Sequence, residues 1–238
     1  MHHISRPLVR KISTTAWNKT PMTKDEFVEI ARTCDAYWIH GGDPLQSHAE
    51  LTSGYCSNGY LNLMQILQHS NLSQILAQEL LNTSPRILNQ AKIHWVIGSA
   101  YSATGIAKDV ANILNVAWTP LEKNTEGEQV CRLAHFRDRE TVLHVEDLLT
   151  TGKSTLSAHK ALLANNEHIN VIPYVPAIAL RRSTNNVLVG ELLDQIHPCP
   201  LFYFNEIWSS PQDACPLCAT GSKRLKPKIG NNWQILHG

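Results

Sequence analysis

The sequence predicts an α/β domain of three layers, in which helices cover a mostly parallel sheet and an amino-terminal segment forms a hood. Two stretches carry this prediction, because apolar runs at Ile93–Ile97 and Val142–Val145 are each followed by a loop of small residues and a helical pattern. A chain of 238 residues is also long enough to bury one substantial core. A ligand site is then expected where the carboxyl ends of the parallel strands meet.

The first helices are predicted from a cap and from apolar spacing. Thr23 and Glu26 form a capping box, which starts a helix over about Lys24–Cys34. Leucine and isoleucine at helical spacing predict a second helix over Asn71–Leu81, with residue 70 or 71 as its cap. Between these helices, the turn formers and aromatic residues of Tyr37–Asn62 favour a small hood over a site.

Shorter apolar segments predict the rest of the fold. They are Asn115–Leu121, Val130–Phe136, Val171–Leu180, Leu188–Ile196 and Leu201–Phe204. Pro173 and Pro176 break the third segment, which demotes part of it to an edge strand or a bend. We divide the chain into an arm and hood at residues 1–62, a core at 63–196 and a carboxyl-terminal extension at 197–238.

Composition excludes several classes of partner. The net charge of +1 leaves no basic excess for a nucleic-acid or membrane surface, so the ligand is expected to be small. No apolar run approaches the roughly 20 residues that a membrane helix needs, and the amino terminus lacks the apolar core of a signal peptide. We therefore expect a cytoplasmic protein. Six cysteines in a chain of this length do not indicate a disulfide scaffold.

The stretch from Val142 to Thr155 predicts a binding site for a phosphorylated sugar. Its apolar strand runs into Glu146 and Asp147 and is followed by small hydroxyl residues and a glycine before a helix. The residues of this loop are Thr150, Thr151, Gly152, Lys153 and Ser154. Backbone N–H groups at such a helix start favour a phosphate. The two carboxylates would repel an anion, so they are expected to face sugar hydroxyls or a metal ion. The spacing is not that of a Walker loop.

A second strand–loop–helix segment has the same character. Small residues fill the loop from Gly98 to Gly105, which includes Ala100, Tyr101 and Ser102. Such residues let backbone amides approach an anion closely. Alone this loop is equally consistent with a tight turn, but it precedes the first site by about forty residues and repeats its pattern.

The first stretch resembles the phosphoribosyl pyrophosphate (PRPP) motif of the type I phosphoribosyltransferases. The match lies at Glu146, Asp147, Thr150, Thr151 and Gly152. The resemblance implies the fold of that family, with an amino-terminal hood and a carboxyl-terminal extension. It further implies that the acids hold the ribose 2′ and 3′ hydroxyls, that the loop through Ser154 holds the 5′-phosphate, and that the earlier loop holds pyrophosphate. Mg²⁺ would bridge the pyrophosphate and the ribose hydroxyls, with Asp147 acting on the ion indirectly.

The hood is similar to that of orotate phosphoribosyltransferases. Their Leu-Lys-Ser-Gly-x-x-Ser pattern is matched by Leu51, Thr52, Ser53, Gly54 and Ser57. Ser53 and Gly54 are therefore candidates for binding the base. The family's base-contacting lysine aligns with Thr52, which cannot give orotate's carboxylate a charge-assisted hydrogen bond.

Two further features bear on the same resemblance. Arg182, at the end of an apolar strand pattern, resembles the arginine that meets the carboxylate of the base. Glu122–Gln129 corresponds to the family's mobile flap, which brings basic residues to the pyrophosphate, so the resemblance makes Lys123 a candidate catalytic residue together with Glu146 and Asp147. Lys123 is the only basic residue of this flap, which is therefore net acidic.

The resemblance implies phosphoribosyl transfer from PRPP to orotate by a cytoplasmic homodimer. The alternatives are a phosphoribosyltransferase for another base and a PRPP-binding regulator without turnover.

The carboxyl-terminal extension contains a Cys-x-x-Cys pair, Cys215 and Cys218. A tetrahedral zinc site would need two more ligands, for which Cys199 with His197 or His237 are the candidates. The alternative is a pair of reduced structural cysteines.

Overall fold

The computed structural model describes residues 21–84, 92–164, 166, 168–181 and 196–237. The strands of the described residues are β1 (Tyr37–Ile39), β2 (His48–Glu50), β3 (Cys56–Ser57), β4 (Gly59–Leu61), β5 (Trp95–Gly98), β6 (Ala117–Trp118), β7 (Glu122–Lys123), β8 (Gln129–Val130), β9 (Thr141–Leu149), β10 (Asn170–Val171), β11 (Tyr174–Leu180), β12 (His197–Tyr203), β13 (Ser209–Ser210) and β14 (Arg224–Leu225). The α-helices are α1 (Lys24–Thr33), α2 (Met64–Leu67), α3 (Ser70–Asn82), α4 (Thr104–Leu114), α5 (Lys153–Leu163), α6 (Pro216–Ala219) and α7 (Asn232–His237).

The central sheet is parallel and runs in the order β12-β11-β9-β5-β6, with β10 also paired to β9. Side chains of β9 alternate between its two faces. Leu143 and Val145 pack with Phe27 of α1 and Ile106 of α4 in the largest core cluster. Val142 faces the other way and packs with residues of α5. Helices therefore cover both faces, and the predicted three-layer α/β class is confirmed.

Local signals at the first helices are confirmed in part. Thr23 Oγ1 accepts from the amide of Glu26, whose carboxylate accepts from the Thr23 amide in return, so the capping box starts α1 as predicted. The second predicted helix is α3, but its N-cap is His69, which makes no side-chain capping bond. The expected cap at residue 70 or 71 was wrong, because packing of buried leucines, rather than a cap, specifies this helix.

The prediction for the proline-containing segment is confirmed at Pro173, where the chain bends between β10 and β11, but it was wrong at Pro176. β11 lies inside the sheet between β9 and β12, and Pro176 is buried within it. Its pairing with β9 begins at Ala177, one residue beyond this proline, so the missing N–H lies outside that ladder. The segment predicted at residues 188–196 lies outside the described residues except for Ile196.

The hood is built from both ends of the chain. Strands β2 and β3 form a hairpin, and β13 and β14 from the carboxyl-terminal part complete a sheet in the order β13-β3-β2-β14. The Trp38 indole donates to the carbonyl of Leu236 in α7 at 2.7 Å, which fastens the same two parts. The boundaries at residues 62 and 196 remain a prediction; β12, beyond the second boundary, pairs within the central sheet. None of the helices in the described ranges has the length and apolarity needed to cross a bilayer.

Candidate active site

The candidate phosphate-binding loop lies at the carboxyl end of β9. The strand ends at Leu149 and α5 begins at Lys153. Gly152 has φ 74° and ψ 0°, a left-handed conformation that favours glycine. The first hydrogen bond of α5 runs from the Leu156 amide to the Gly152 carbonyl. The amides of residues 153–155 come before it, at the positive end of the helix dipole. This geometry suits an anionic group at the start of α5.

A cleft of about 670 Å³ opens between this loop and the hood. The hood contributes a wall of small polar, aromatic and aliphatic residues, and the core contributes strand ends and the loop. Its lining residues are Leu51, Thr52, Ser53, Tyr55, Tyr60, Leu61, Asn62, Leu63, Met64, Ser102, Asp147, Leu148, Thr150, Thr151, Lys153, Ser154, Arg181, Ser209 and Lys228. Predicted phosphate-binding residues and the predicted base-binding residue Ser53 thus share one cavity.

The lining of the cleft is basic. Among the described lining residues, Lys153, Arg181 and Lys228 carry positive charge and Asp147 is the acid. Burial lowers the pKa of Arg181, and Tyr60 opposes that shift. A cavity with this balance attracts an anionic ligand, because low-dielectric walls focus the field of its charges.

Asp147 is the acidic side chain that faces the cleft. It is buried, and Ser102 Oγ donates to its Oδ1 at 3.0 Å. This hydrogen bond links the two predicted loops. Burial is the main cause, and the nearby charge of Glu146 the second cause, of a shift that raises the pKa of Asp147 to about 6. The carboxylate is ionised at neutral pH but is readily stabilised further by a donor or a cation.

Glu146 lies on the opposite face of β9, with only 2 % of its surface exposed. Its Oε1 accepts from Ser99 Oγ at 2.5 Å and from Thr155 Oγ1 at 2.9 Å, and lies 3.2 Å from His144 Nε2. This carboxylate ties β5, β9 and α5 together beneath the site. It is absent from the described lining of the cleft, so its predicted contact with ribose remains a prediction.

The predicted pyrophosphate loop packs tightly on itself. A Cβ added at Gly98 would lie 2.2 Å from the Ala103 carbonyl oxygen, so a glycine is required for the loop to return to the strand. Ser102 lines the cleft, whereas Ala100 is buried and Tyr101 is exposed. Lys123 Nζ lies 5.9 Å from the Tyr101 ring centroid, a cation–π distance that brings the flap hairpin against this loop.

Gln129 joins three parts of the site, and sequence reasoning missed it. Its Oε1 accepts from the Ala100 amide at 2.8 Å, while its Nε2 donates to the Ser154 carbonyl at 2.6 Å. Nε2 also lies 3.3 Å from Ser99 Oγ. The side chain connects β8 at the base of the flap with both predicted anion loops. A glutamine at the end of a flap carries no sequence signal for this role.

The base side of the cleft agrees with the prediction only in part. Thr52 and Ser53 line the cavity, and Gly54 has φ 82° in the turn behind them, where its amide donates to the Leu51 carbonyl at 2.8 Å. Arg182 lies outside the described residues. Its neighbour Arg181 lines the cleft, although the family resemblance favoured Arg182.

The extension's cysteine pair meets two residues of the hood. Cys215, Cys218, Cys56 and His48 form a cluster in which one donor atom from each lies within 4.8 Å of the others. The predicted partners of the pair were wrong. Cys199 Sγ instead contacts the His197 carbonyl in β12, and His237 Nδ1 contacts the Trp233 carbonyl. Sequence spacing could not indicate His48 and Cys56, which lie far away in the chain.

Known proteins with similar sequences are orotate phosphoribosyltransferases, although no family model matches the chain. The enzyme of Desulforamulus reducens is 28% identical over 207 residues, which cover 87% of this chain and 97% of the relative. That of Acidithiobacillus ferrooxidans is 29% identical over 207 residues, with the same coverage of both chains.

Solved structures share the fold. The orotate phosphoribosyltransferase of Aeropyrum pernix matches with a TM-score of 0.57 at 17% identity, over 76% of this chain and 94% of its own. That of Mycobacterium tuberculosis, in complex with inorganic phosphate, matches with a TM-score of 0.51 at 17% identity, over 74% and 94%. The chain therefore has the type I phosphoribosyltransferase fold. Within this class, its sequence is orotate phosphoribosyltransferase-like over most of its length.

Proposed function

We propose that this chain transfers the 5-phosphoribosyl group of PRPP to orotate, which gives orotidine 5′-monophosphate and pyrophosphate in pyrimidine biosynthesis. One observation carries the proposal: a single basic cleft joins the loop after β9 to the hood loop that contains Thr52 and Ser53. The sequence relatives named orotate phosphoribosyltransferase span 87% of the chain, hood included, which supports the same acceptor.

The proposed roles follow the position of each group. The amides and hydroxyls of Thr150–Ser154 bind the 5′-phosphate at the start of α5, with Lys153 as a point charge. Asp147 accepts hydrogen bonds from the ribose hydroxyls. Ser102 and the neighbouring amide of Tyr101 bind the pyrophosphate. The Ala100 amide, which donates to Gln129 Oε1, instead holds this loop in place. Glu146 is placed to hold these elements in register, and its own contact with ribose would require its side chain to turn.

The chemistry is electrostatic. As the bond from C1′ to pyrophosphate breaks, positive charge develops on the ribose and negative charge on the leaving group. Lys153 and Lys228 would stabilise the polyanion, and Lys123 would join them when the flap closes. The flap's three glutamates oppose this effect, which favours a part for Mg²⁺. The base nitrogen attacks C1′ directly, so no protein nucleophile is needed.

The residues of the cleft fit a bound Mg²⁺ ion. Asp147 is a buried carboxylate whose raised pKa reflects a lack of compensating charge, and a divalent cation supplies such charge. Asp147 and Ser102 would hold such an ion through water, and the ion would supply positive charge that offsets the charge of the departing pyrophosphate. Asp147 and Ser102 would orient the hydroxyls and waters around the ion.

Orotate would lie between the hood and the strand ends. The Ser53 hydroxyl would hydrogen-bond its ring, Gly54 would shape the turn behind Ser53, and an arginine at the end of β11 would meet its carboxylate. Arg181 is the described candidate, and Arg182 remains a prediction. Thr52, in place of a lysine, favours weak binding of this carboxylate. Transfer to another base, or PRPP binding without turnover, are the alternatives that this substitution supports.

A direct assay separates these alternatives. The purified chain is incubated with PRPP, Mg²⁺ and a panel of bases, and pyrophosphate release is followed. Release with orotate, and its loss on addition of EDTA, is the expected result. Release with a different base alone would reject orotate as acceptor, and PRPP binding without release would identify a regulator. Sedimentation of the same sample tests the proposed homodimer, and fractionation of cells tests the expected cytoplasmic location.

A further inference from the structure

We propose that His48, Cys56, Cys215 and Cys218 bind one structural Zn²⁺ ion that locks the hood to the carboxyl-terminal extension. The four residues come from β2, β3 and the start and body of α6, and their donor atoms converge within 4.8 Å. His48, Cys56 and Cys215 are buried, and Cys218 is half-buried. The cluster is separate from the cleft lining, so it is not part of the proposed reaction centre.

Interatomic distances in the cluster fit a tetrahedral centre. In a regular tetrahedron with Zn–S of about 2.3 Å, two sulfurs lie about 3.8 Å apart, and a sulfur and an imidazole nitrogen about 3.6 Å apart. Cys56 Sγ lies 3.6 Å from Cys218 Sγ, and His48 Nε2 lies 3.5 Å from Cys218 Sγ and 3.7 Å from Cys215 Sγ. A disulfide would hold two sulfurs about 2.05 Å apart, and all of these cysteines are free.

The tautomer of His48 is fixed for metal binding. Ser222 Oγ donates its single proton to the Gln46 carbonyl at 2.5 Å, because a carbonyl can only accept. The same Oγ must therefore accept from His48 Nδ1, which lies 2.8 Å away. Neutral His48 then has its lone pair on Nε2, the atom that faces the sulfurs. A hydrogen-bonded second ring nitrogen is the usual support of a zinc-binding histidine.

The donor set selects zinc. Three thiolates and one imidazole form a closed Cys₃His site, the type found in structural zinc centres, with no open position for a substrate. The Cys218 amide also points to Cys215 Sγ at 3.4 Å, which is the local geometry of a Cys-x-x-Cys pair at a helix start. Such amides stabilise thiolate charge.

The ion would restrain the hood turn at residues 51–55, which contains the proposed base-binding residue Ser53. His48 and Cys56 lie at the two ends of the hairpin whose turn, residues 51–55, contributes Leu51, Thr52 and Ser53 to the cleft. Holding both ends on α6 restrains that turn, and it also closes a long chain loop between the hood and the extension. Strands β2, β3, β13 and β14 are short and form few backbone hydrogen bonds. The metal ion would add the stability that this small sheet lacks.

Metal analysis of the purified full chain tests the inference. Produced with zinc in the medium and without an added histidine tag, it should carry about one Zn²⁺ per chain. Cys218→Ser and Cys56→Ser should lose most of this zinc, while Cys199→Ser, which alters the cysteine of β12, should keep it. Replacement by Co²⁺ should give the intense visible bands of a tetrahedral thiolate site. Cys56→Ser, titrated with Co²⁺ until its weakened site is filled, should show about a third less thiolate charge-transfer intensity per bound ion.

Two outcomes would overturn the proposal. One is a wild-type chain that carries no zinc and takes up neither added Zn²⁺ nor Co²⁺ at micromolar concentration. The other is equal loss of zinc in Cys199→Ser and Cys218→Ser. Both measurements are independent of turnover, so a zinc-loaded chain without pyrophosphate release would reject the proposed reaction and leave the metal site standing.

Discussion

Asp147 couples the site to pH through its buried carboxyl. Its folded-state pKa of about 6 exceeds the ordinary value of about 4, so the folded chain binds this proton more tightly than the unfolded chain. The free energy of unfolding therefore falls as pH rises from about 4 to about 6, and the loss persists above pH 6. Asp147→Asn should raise the free energy of unfolding of the ligand-free chain at pH 8 by on the order of 2 kcal/mol. Denaturant titrations should show this gain shrinking as pH falls to 5; a constant gain would contradict the assignment.

The same substitution should weaken PRPP binding. Asparagine keeps the size of the side chain but removes a charged acceptor from the ribose hydroxyls and from Mg²⁺, and hydrogen bonds to charged groups contribute about 1.5–3 kcal/mol. We expect the Kd for PRPP with Mg²⁺, measured by calorimetry at pH 8, to rise by at least about tenfold. Asp138→Asn, at an exposed acid away from the cleft, serves as the control and should bind normally. Equal affinities for the two variants would remove Asp147 from the site.

Glu146 and Asp147 show which properties of the site residues could be predicted from the sequence. The motif identified Glu146 and Asp147 together, and strand alternation requires their side chains to face opposite ways. Which face holds the cleft depends on the hood, whose lining residues lie about ninety positions earlier in the chain. Strand alternation places His144 on the same face of β9 as Glu146. Ser99, in contrast, had no local signature, because only the pairing of β5 with β9 brings it to Glu146.

The loop after β5 can adopt its conformation only because Gly98 has no side chain. Alanine there would place Cβ 2.2 Å from the Ala103 carbonyl oxygen, a backbone atom that can move only with the whole loop. Gly98→Ala should therefore displace the predicted pyrophosphate loop. We expect a KM for PRPP at least about tenfold higher, since even a small misplacement of a binding loop is costly.

Gly105→Ala is the matched control for this prediction. It lies in the first turn of α4 beside the same loop, and a Cβ there meets no atom within 4 Å. Alanine should stabilise the helix slightly and leave the KM for PRPP unchanged. A similar rise in KM for both variants would mean that the loop does not act through its close contact with Gly98.

The sequence predicted the two strand–loop–helix segments of the molecule better than it predicted pairing between strands that lie far apart in the chain. The two strand–loop–helix segments gave the fold class because each contains its own pattern of period and small residues. The hood sheet could not be predicted, because β14 pairs with β2 across more than 170 residues and both strands are very short. The same distance hid the cysteine and histidine partners of Cys215 and Cys218. Local sequence patterns therefore predict single strand–loop–helix segments, whereas the contacts between segments depend on burial and on long-range pairing.

In the proposed reaction, Thr52 of the hood controls how tightly orotate binds. Thr52 lines the cleft where orotate phosphoribosyltransferases, by the sequence resemblance, place a lysine. Thr52→Lys would add an ammonium beside the acceptor carboxylate, and the exposed position of Thr52 leaves room for the longer side chain. If orotate is the acceptor, its KM should fall by roughly tenfold with little change in the KM for PRPP. Thr83→Lys, at the exposed end of α3, adds the same charge away from the cleft and should change neither constant. Steady-state kinetics of the three chains decide the matter, because an unchanged or higher KM for orotate in Thr52→Lys would favour a different base.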